Sequence, residues 1–170
     1  MAFGTSTARA DKMLTAKRQV PSSGPAISVE SLALFFLWST IMKPVPIAAR
    51  GEAEETVEFK HTLTSHHPEL PPVYSTPDMI RLMETAAFHA LHLYCEGDEI
   101  TVGTAIHIEH RAASLVGARI RAEAVVELSF DSRFYTVRVR AWDDQQEIGR
   151  GTVGRAVVSV GKFLERIRKV

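Results

Sequence analysis

A chain of 170 residues with 45% hydrophobic and 24% charged residues suits one soluble globular domain with a proper core, not two large ones. Its 20 Lys and Arg balance 20 Asp and Glu, so net charge gives no electrostatic reason to expect nucleic acid or an anionic membrane as partner. The single cysteine, Cys95, excludes an internal disulfide and a thiolate zinc cluster, and it suits a reducing, cytoplasmic compartment.

Residues 1–53 read as an N-terminal extension ahead of a domain over residues 54–170. Met1–Gly24 is rich in Ser, Thr, Ala, Lys and Arg, has Asp11 as its one acid and shows no apolar period, which predicts disorder. The apolar run Leu32–Trp38 is too short to span a bilayer as a helix, which takes about 20 residues. It suits a signal-peptide core or an organelle-targeting presequence, yet no small-residue cleavage site follows it at a convincing place. Met42, in Met42-Lys43-Pro44, is an alternative start that would make the preceding residues an extension outside the working protein.

Glu55–Leu63 alternates, with Val57, Phe59, His61 and Leu63 on one face, and predicts a half-buried strand. The segment His66-His67-Pro68-Glu69-Leu70-Pro71-Pro72 is too proline-rich to continue a strand or a helix. A helix then opens at Thr76-Pro77. Proline is favoured at the first helical position, Ser75 or Thr76 can cap the free amides, and Asp78 suits the first turn. Asp78, Arg81, Thr85, His89 and His92 form its polar stripe, and most other positions are apolar, so the helix is expected to be wrapped by protein. Glu84 points roughly 110° away from that stripe, among Ile80, Ala87 and Leu91. A carboxylate in that position is expected to be desolvated unless a polar group meets it.

Four strands follow: Thr101–His110, Arg119–Phe130, Phe134–Trp142 and Ile148–Val160, with a short amphipathic helix over Gly161–Val170. Strict alternation in the first of them puts Val102, Thr104, Ile106, Ile108 and His110 on one face, with Gly103, His107 and Glu109 opposite. One long apolar helix beside an antiparallel sheet of about five strands predicts an α+β fold in which the sheet curls around the helix, the outline of a hot-dog fold. Such a sheet has edges to hide, so a homodimer is expected.

Three groups can carry chemistry: Thr76 at the helix start, Glu84 two turns on, and His110 at a strand end. A lone inward histidine is usually a satisfied core residue, and a threonine at a helix start is usually a cap. Together, a carboxylate and an imidazole both turned inward relieve their desolvation by meeting each other. With a hydroxyl and a helix N-terminus nearby, that is a layout for acyl transfer. His89 and His92 share a helix face but have no third ligand in register, so no metal site is expected. Gly149-Arg150-Gly151 lacks the strand–helix setting of a phosphate loop, and no Gly-x-Ser-x-Gly elbow is present.

With these residues placed, the chain from about Glu55 onward resembles the fluoroacetyl-CoA thioesterase family. The similarity is carried by Ser75-Thr76-Pro77-Asp78-Met79, Met83-Glu84-Thr85-Ala86-Ala87, Thr101-Val102-Gly103-Thr104 leading to His110, Ile148-Gly149-Arg150-Gly151-Thr152 and Lys162-Phe163-Leu164. The resemblance implies a single hot-dog domain that hydrolyses a small acyl-CoA, with Thr76, Glu84 and His110 as its catalytic set. It also implies that Gly103 lies against the thioester, and that Ser75, His67 and Leu70 contact substrate. No cofactor is implied, because coenzyme A is part of the substrate. In the founding enzyme, aromatic residues before the helix form a lid that selects the fluorinated acyl group. Here His66–Leu70 contains no Phe, so hydrolysis carries over and the acyl group stays open, as does the nucleophile: Thr76, Glu84 or water. A non-catalytic module binding an acyl-thioester is the alternative reading. A hydratase on the same fold would need an Asp-then-His pair near the helix start, which is absent.

Overall fold

The computed structural model describes residues 42–130 and 132–169. The expectations for residues 1–41 lie outside the described residues. In chain order the elements are β1 (Arg50–Thr56), a 3-10 turn (Phe59–His61), α1 (Leu63–His66) and α2 (Thr76–His92). Then come β2 (Glu99–His110), β3 (Arg119–Phe130), β4 (Phe134–Trp142), β5 (Glu147–Ser159) and α3 (Val160–Arg168). The five strands form one antiparallel sheet in the order β1-β3-β4-β5-β2, so β1 and β2 are its edges. The sheet curls around α2 as the apolar periodicity of that helix predicts.

The first strand lies earlier than the alternation of Glu55–Leu63 predicts. Pairing with the sheet ends at Val57, whose backbone bonds Ala118 and Gly117. The chain then turns because side chains offer its backbone a local alternative: the Glu58 amide donates to His61 Nδ1 at 3.1 Å and the Thr62 hydroxyl donates to the Phe59 carbonyl at 2.7 Å. Phe59 is accordingly exposed. The real strand shows no apolar alternation because it must pass very close to α2. A Cβ on Gly51 would lie 2.3 Å from the Ala86 carbonyl oxygen and from the Ala90 amide nitrogen, so only glycine fits there. Ala49 and Met42 are buried further upstream, so the packed core reaches back beyond the strand.

Ser75 caps α2: its hydroxyl oxygen accepts from the Asp78 amide at 3.2 Å, and Pro77 stands in the first turn. Met79, Met83 and Leu91 on α2 are fully buried against Ile120, Val137, Val139 and Val153 of the sheet. Each such side chain contributes on the order of 2 kcal/mol. The helix packs chiefly on the β1 and β3 side of the sheet and more thinly on the β2 side. Its edge Thr76, Ile80, Glu84 and Phe88, spaced four apart, is therefore left partly open on that side.

A β-bulge in β2 changes which residues face the helix. Gly103 pairs with Arg155 and Ala105 with Gly154, so Thr104 is the extra residue. Strict alternation would set Gly103 and His110 on opposite faces. The bulge instead puts Thr101 and Gly103 before it, and Ile106, Ile108 and His110 after it, all on the helix-facing side. The outer face carries cross-strand ion pairs, among them Glu54–Arg119, Glu127–Arg138, Arg140–Glu147 and Glu109–Arg150. Such exposed pairs add little stability individually but leave that surface charge-balanced.

Candidate active site

Two polar centres sit along the open strip between α2 and β2, over a floor of Ile106 and Ile108. At the start of α2, Thr76 Oγ1 lies 2.9 Å from His110 Nδ1. The contact joins the first residue of the helix to the last residue of β2, with His110 opposite Gly149 in the ladder. Thr76 is exposed and His110 half-buried. Burial holds the imidazole below its ordinary pKa, an effect partly offset by the Ala112 backbone. A neutral ring can accept the threonine proton at Nδ1. His110 Nε2 is the one buried side-chain polar atom without a hydrogen-bond partner among the described residues.

The second centre is built on Glu84. It does not meet His110, as two inward polar groups were expected to do; its partner is Arg155, with Nη1 3.7 Å from Glu84 Oε1. Glu84 keeps 31% of its side-chain exposure, because it stands on the edge of α2 that the sheet leaves uncovered. Arg155 is buried and close to saturated. Its Nε donates to Thr101 Oγ1 at 3.0 Å, Nη2 to the Thr101 carbonyl at 2.7 Å and Nη1 to the Glu84 carbonyl at 3.4 Å. Its guanidinium also lies over the Phe88 ring, 5.9 Å from the centroid. Desolvation lowers the Arg155 pKa and the Glu84 carboxylate opposes that shift. Arg155 was not singled out from the sequence, although a signal was there: it occupies an inward position between Val153 and Val157 in a strand of period two.

Gly103 completes this centre, since a Cβ there would sit 2.4 Å from Glu84 Oε1. The carboxylate thus rests against the backbone of β2, which no other residue type would permit without displacing it.

Ser75, expected to touch substrate, is instead fully buried, and its hydroxyl is used twice by Asp78, through the amide and by donation to Oδ2 at 2.5 Å. The cap also consumes most of the helix N-terminus as an anion site. Pro77 has no N–H, the Asp78 amide goes to Ser75 Oγ and the Met79 amide to the Ser75 carbonyl, which leaves the Thr76 amide. His67 and Leu70 are exposed on the loop before α2, with His67 beside Glu69 at 3.7 Å. The base of that loop is clamped by the Leu63 amide on the Val73 carbonyl and by the Thr62–Tyr74 bridge. His66 reaches Asp78 on α2 at 3.5 Å. Tyr74 is buried, and its hydroxyl donates to Glu55 Oε1 at 2.5 Å while Arg81 pairs with Oε2, tying β1 to the helix start. Burial and the Glu55 carboxylate raise the Tyr74 pKa far above its usual range, so it acts as a donor and not as a base.

Among the described residues no cluster of three or more His, Cys, Asp or Glu is placed to hold a metal. His89 Nδ1 donates to the Glu52 carbonyl at 2.7 Å and His92 stacks on Phe88. A cavity of about 480 Å³, lined by Glu54, Arg119, Arg121, Trp142 and the Asp143–Gln146 turn, lies on the outer face, away from both polar centres.

Comparison with known proteins gives a consistent picture. The sequence profile of the fluoroacetyl-CoA-specific thioesterases matches residues 54–161. The fluoroacetyl-CoA thioesterase of Streptantibioticus cattleyicolor is 36% identical over 115 residues, which span 68% of this chain and 82% of that protein. A solved structure of a fluoroacetyl-CoA thioesterase superposes with a TM-score of 0.69 at 32% identity, covering 75% of this chain and 98% of that one. A thioesterase-superfamily member from Thermus thermophilus superposes with a TM-score of 0.71 at 25% identity, covering 75% and 94%.

Proposed function

This chain belongs to the fluoroacetyl-CoA-specific thioesterase family, and from that membership we propose that it is an acyl-CoA thioesterase whose hydroxyl–imidazole pair, Thr76 and His110, performs the hydrolysis. The substrate is a small acyl-CoA, and the products are the free acid and coenzyme A. The observation that carries the reading is the 2.9 Å contact between Thr76 Oγ1 and His110 Nδ1 at the mouth of the open strip. His110 accepts the Thr76 proton as the threonine oxygen attacks the thioester carbonyl. The remaining Thr76 amide faces the developing negative charge, and coenzyme A leaves as its thiol, taking the proton from the His110 imidazolium and leaving the acyl group on Thr76. Water, activated by the same imidazole, then frees the acid. Glu84, braced by Arg155 against Gly103, lines the strip along which the acyl group lies and sets its polarity.

No cofactor is needed, because coenzyme A enters as part of the substrate. β2 is an exposed sheet edge over residues 103–107, which supports a homodimer that continues the sheet from one copy to the next. The lone Cys95 supports a cytoplasmic setting. No helix among the described residues is long and apolar enough to cross a membrane.

The test is a hydrolysis panel over acyl-CoAs of increasing acyl length, fluoroacetyl-CoA included, run with the parent protein and with His110→Ala and Thr76→Val. The short acyl groups should turn over fastest, and His110→Ala should lower kcat/KM by about 10²–10⁴-fold. No hydrolysis by the parent, or an unimpaired His110→Ala, overturns the reading. A non-catalytic binding module would instead show ligand-dependent thermal stabilisation without turnover.

A further inference from the structure

The chain's net charge of zero hides a local imbalance. Over the sheet most arginines face a carboxylate: Arg119, Arg121, Arg138, Arg140 and Arg150 all form ion pairs. The helix α3 and the residue after it carry Lys162, Arg166, Arg168 and Lys169 against the single acid Glu165. Arg166, Arg168 and Lys169 take part in no ion pair among the described residues.

The same helix has an apolar stripe that the described residues leave only partly covered. None of its residues is buried, and Phe163, Leu164 and Ile167 are 39%, 43% and 57% exposed. At about 100° per residue, Val160, Phe163, Leu164 and Ile167 fall within an arc of roughly 100°. Arg166 borders that arc on one side and Arg168 on the other, while Glu165 points away from it. Only the first turn is anchored. Asp98 accepts from the Ser159 hydroxyl at 2.8 Å and from the Gly161 amide at 3.2 Å, and its carbonyl accepts from the Val160 amide at 3.0 Å. Leu128 and Phe134 add exposed apolar surface at the same end of the sheet, where Phe134 pairs with Ala156 just before α3.

We propose that α3 docks this protein on an anionic lipid surface, lying in the interfacial plane with Phe163, Leu164 and Ile167 among the acyl chains and Arg166 and Arg168 at the headgroup phosphates. An apolar stripe flanked on both borders by cations is the arrangement such a surface recognises. A second copy of the helix is a poor occupant, because it would bring the same unpaired cations face to face. The active site is left free. Thr76 and His110 lie at the opposite end of the 17-residue α2, on the order of 25 Å away, so a docked molecule still takes a soluble thioester from solution.

The experiment is co-sedimentation of the full chain with vesicles of phosphatidylcholine alone or with 30% phosphatidylserine, at about 50 and 500 mM salt. Binding should be at least tenfold stronger to the phosphatidylserine vesicles and should be lost at high salt. Each cation near the surface is worth about fivefold, so Arg166→Glu with Arg168→Glu should weaken binding by more than tenfold. Leu164→Ser with Ile167→Ser should weaken it comparably, and both double variants should keep the parent's rate of acyl-CoA hydrolysis, which shows that they fold. Equal binding to both vesicle types, or unchanged binding by the charge-reversed variant, overturns the proposal. So does a drop in oligomeric state caused by Leu164→Ser with Ile167→Ser, which would make the stripe a contact between copies. Retention on an acidic polypeptide without retention on vesicles would assign the helix to a protein partner and overturn it equally.

Discussion

The two polar centres along α2 share one face of the molecule and are held in opposite ways. Around Arg155 nearly every donor is spent, on Thr101, on the Glu84 backbone and on the Glu84 carboxylate. Around His110 the Thr76 hydroxyl serves Nδ1 and the Ala112 backbone acts on the ring, while Nε2 makes no hydrogen bond among the described residues. A saturated buried cation stabilises geometry, whereas a half-satisfied imidazole beside an exposed hydroxyl retains the freedom to bond a substrate. Burial alone does not mark the reactive group; unspent hydrogen-bonding capacity does.

The largest way to break this contrast is to remove the saturated partner. Arg155→Ala leaves Thr101 unpaired in the core, and it should cost about 3 kcal/mol, or roughly 6–12 °C in Tm by calorimetry. The cost stays near the low end for a broken buried pair because the orphaned Glu84 still reaches water. A loss in Tm no larger than that of His110→Ala would show that the two centres do not differ as described.

A finer probe is Gly103→Ala. The new Cβ would displace Glu84 Oε1, the mobile end of a side chain, so the expected stability cost is about 1 kcal/mol. Because the carboxylate would swing away from the strip, kcat/KM should fall about tenfold while the fold persists. Unchanged kinetics with the same melting curve would remove Glu84 from the site.

The smallest expected effect sharpens the His110 side of the comparison. Burial lowers the His110 pKa, so the neutral, proton-accepting form persists to more acid pH than for a free imidazole. Activity should therefore be flat at neutral pH and lost as pH falls through a value below about 6.5. The same shift makes His110 cost stability on acidification: the unfolded chain takes up the proton first, so stability declines as pH drops below about 6.5. An acid limb of kcat/KM centred above 7 would contradict the burial described for the ring.

Much of this was legible in the chain. The cap and proline at Ser75-Thr76-Pro77 locate the start of α2, because capping is local chemistry read within four residues. The alternations predict β3, β4 and β5 as strands, and the inward face of Arg119–Phe130 holds as far as Val126, beyond which a register shift leaves Leu128, expected inward, exposed. The resemblance to the fluoroacetyl-CoA thioesterase family agrees with the comparisons. What the chain hid had physical causes. β1 shows Gly51 and Ala53 where a strand usually shows valine or isoleucine, because its helix-facing positions must admit the backbone of α2.

The partner of each reactive group was decided only in three dimensions. Periodicity could turn Glu84 and His110 both inward, but it could not foresee the bulge at Thr104, which moves Gly103 to the helix side. Nor could it foresee that α2 packs mainly toward β1 and β3, which leaves the edge carrying Thr76, Ile80, Glu84 and Phe88 partly open. Local sequence determines which way a side chain points from its own element, because caps and pleats act within a few residues. The tertiary structure decides what it meets there, because register and packing are settled between elements far apart in the chain.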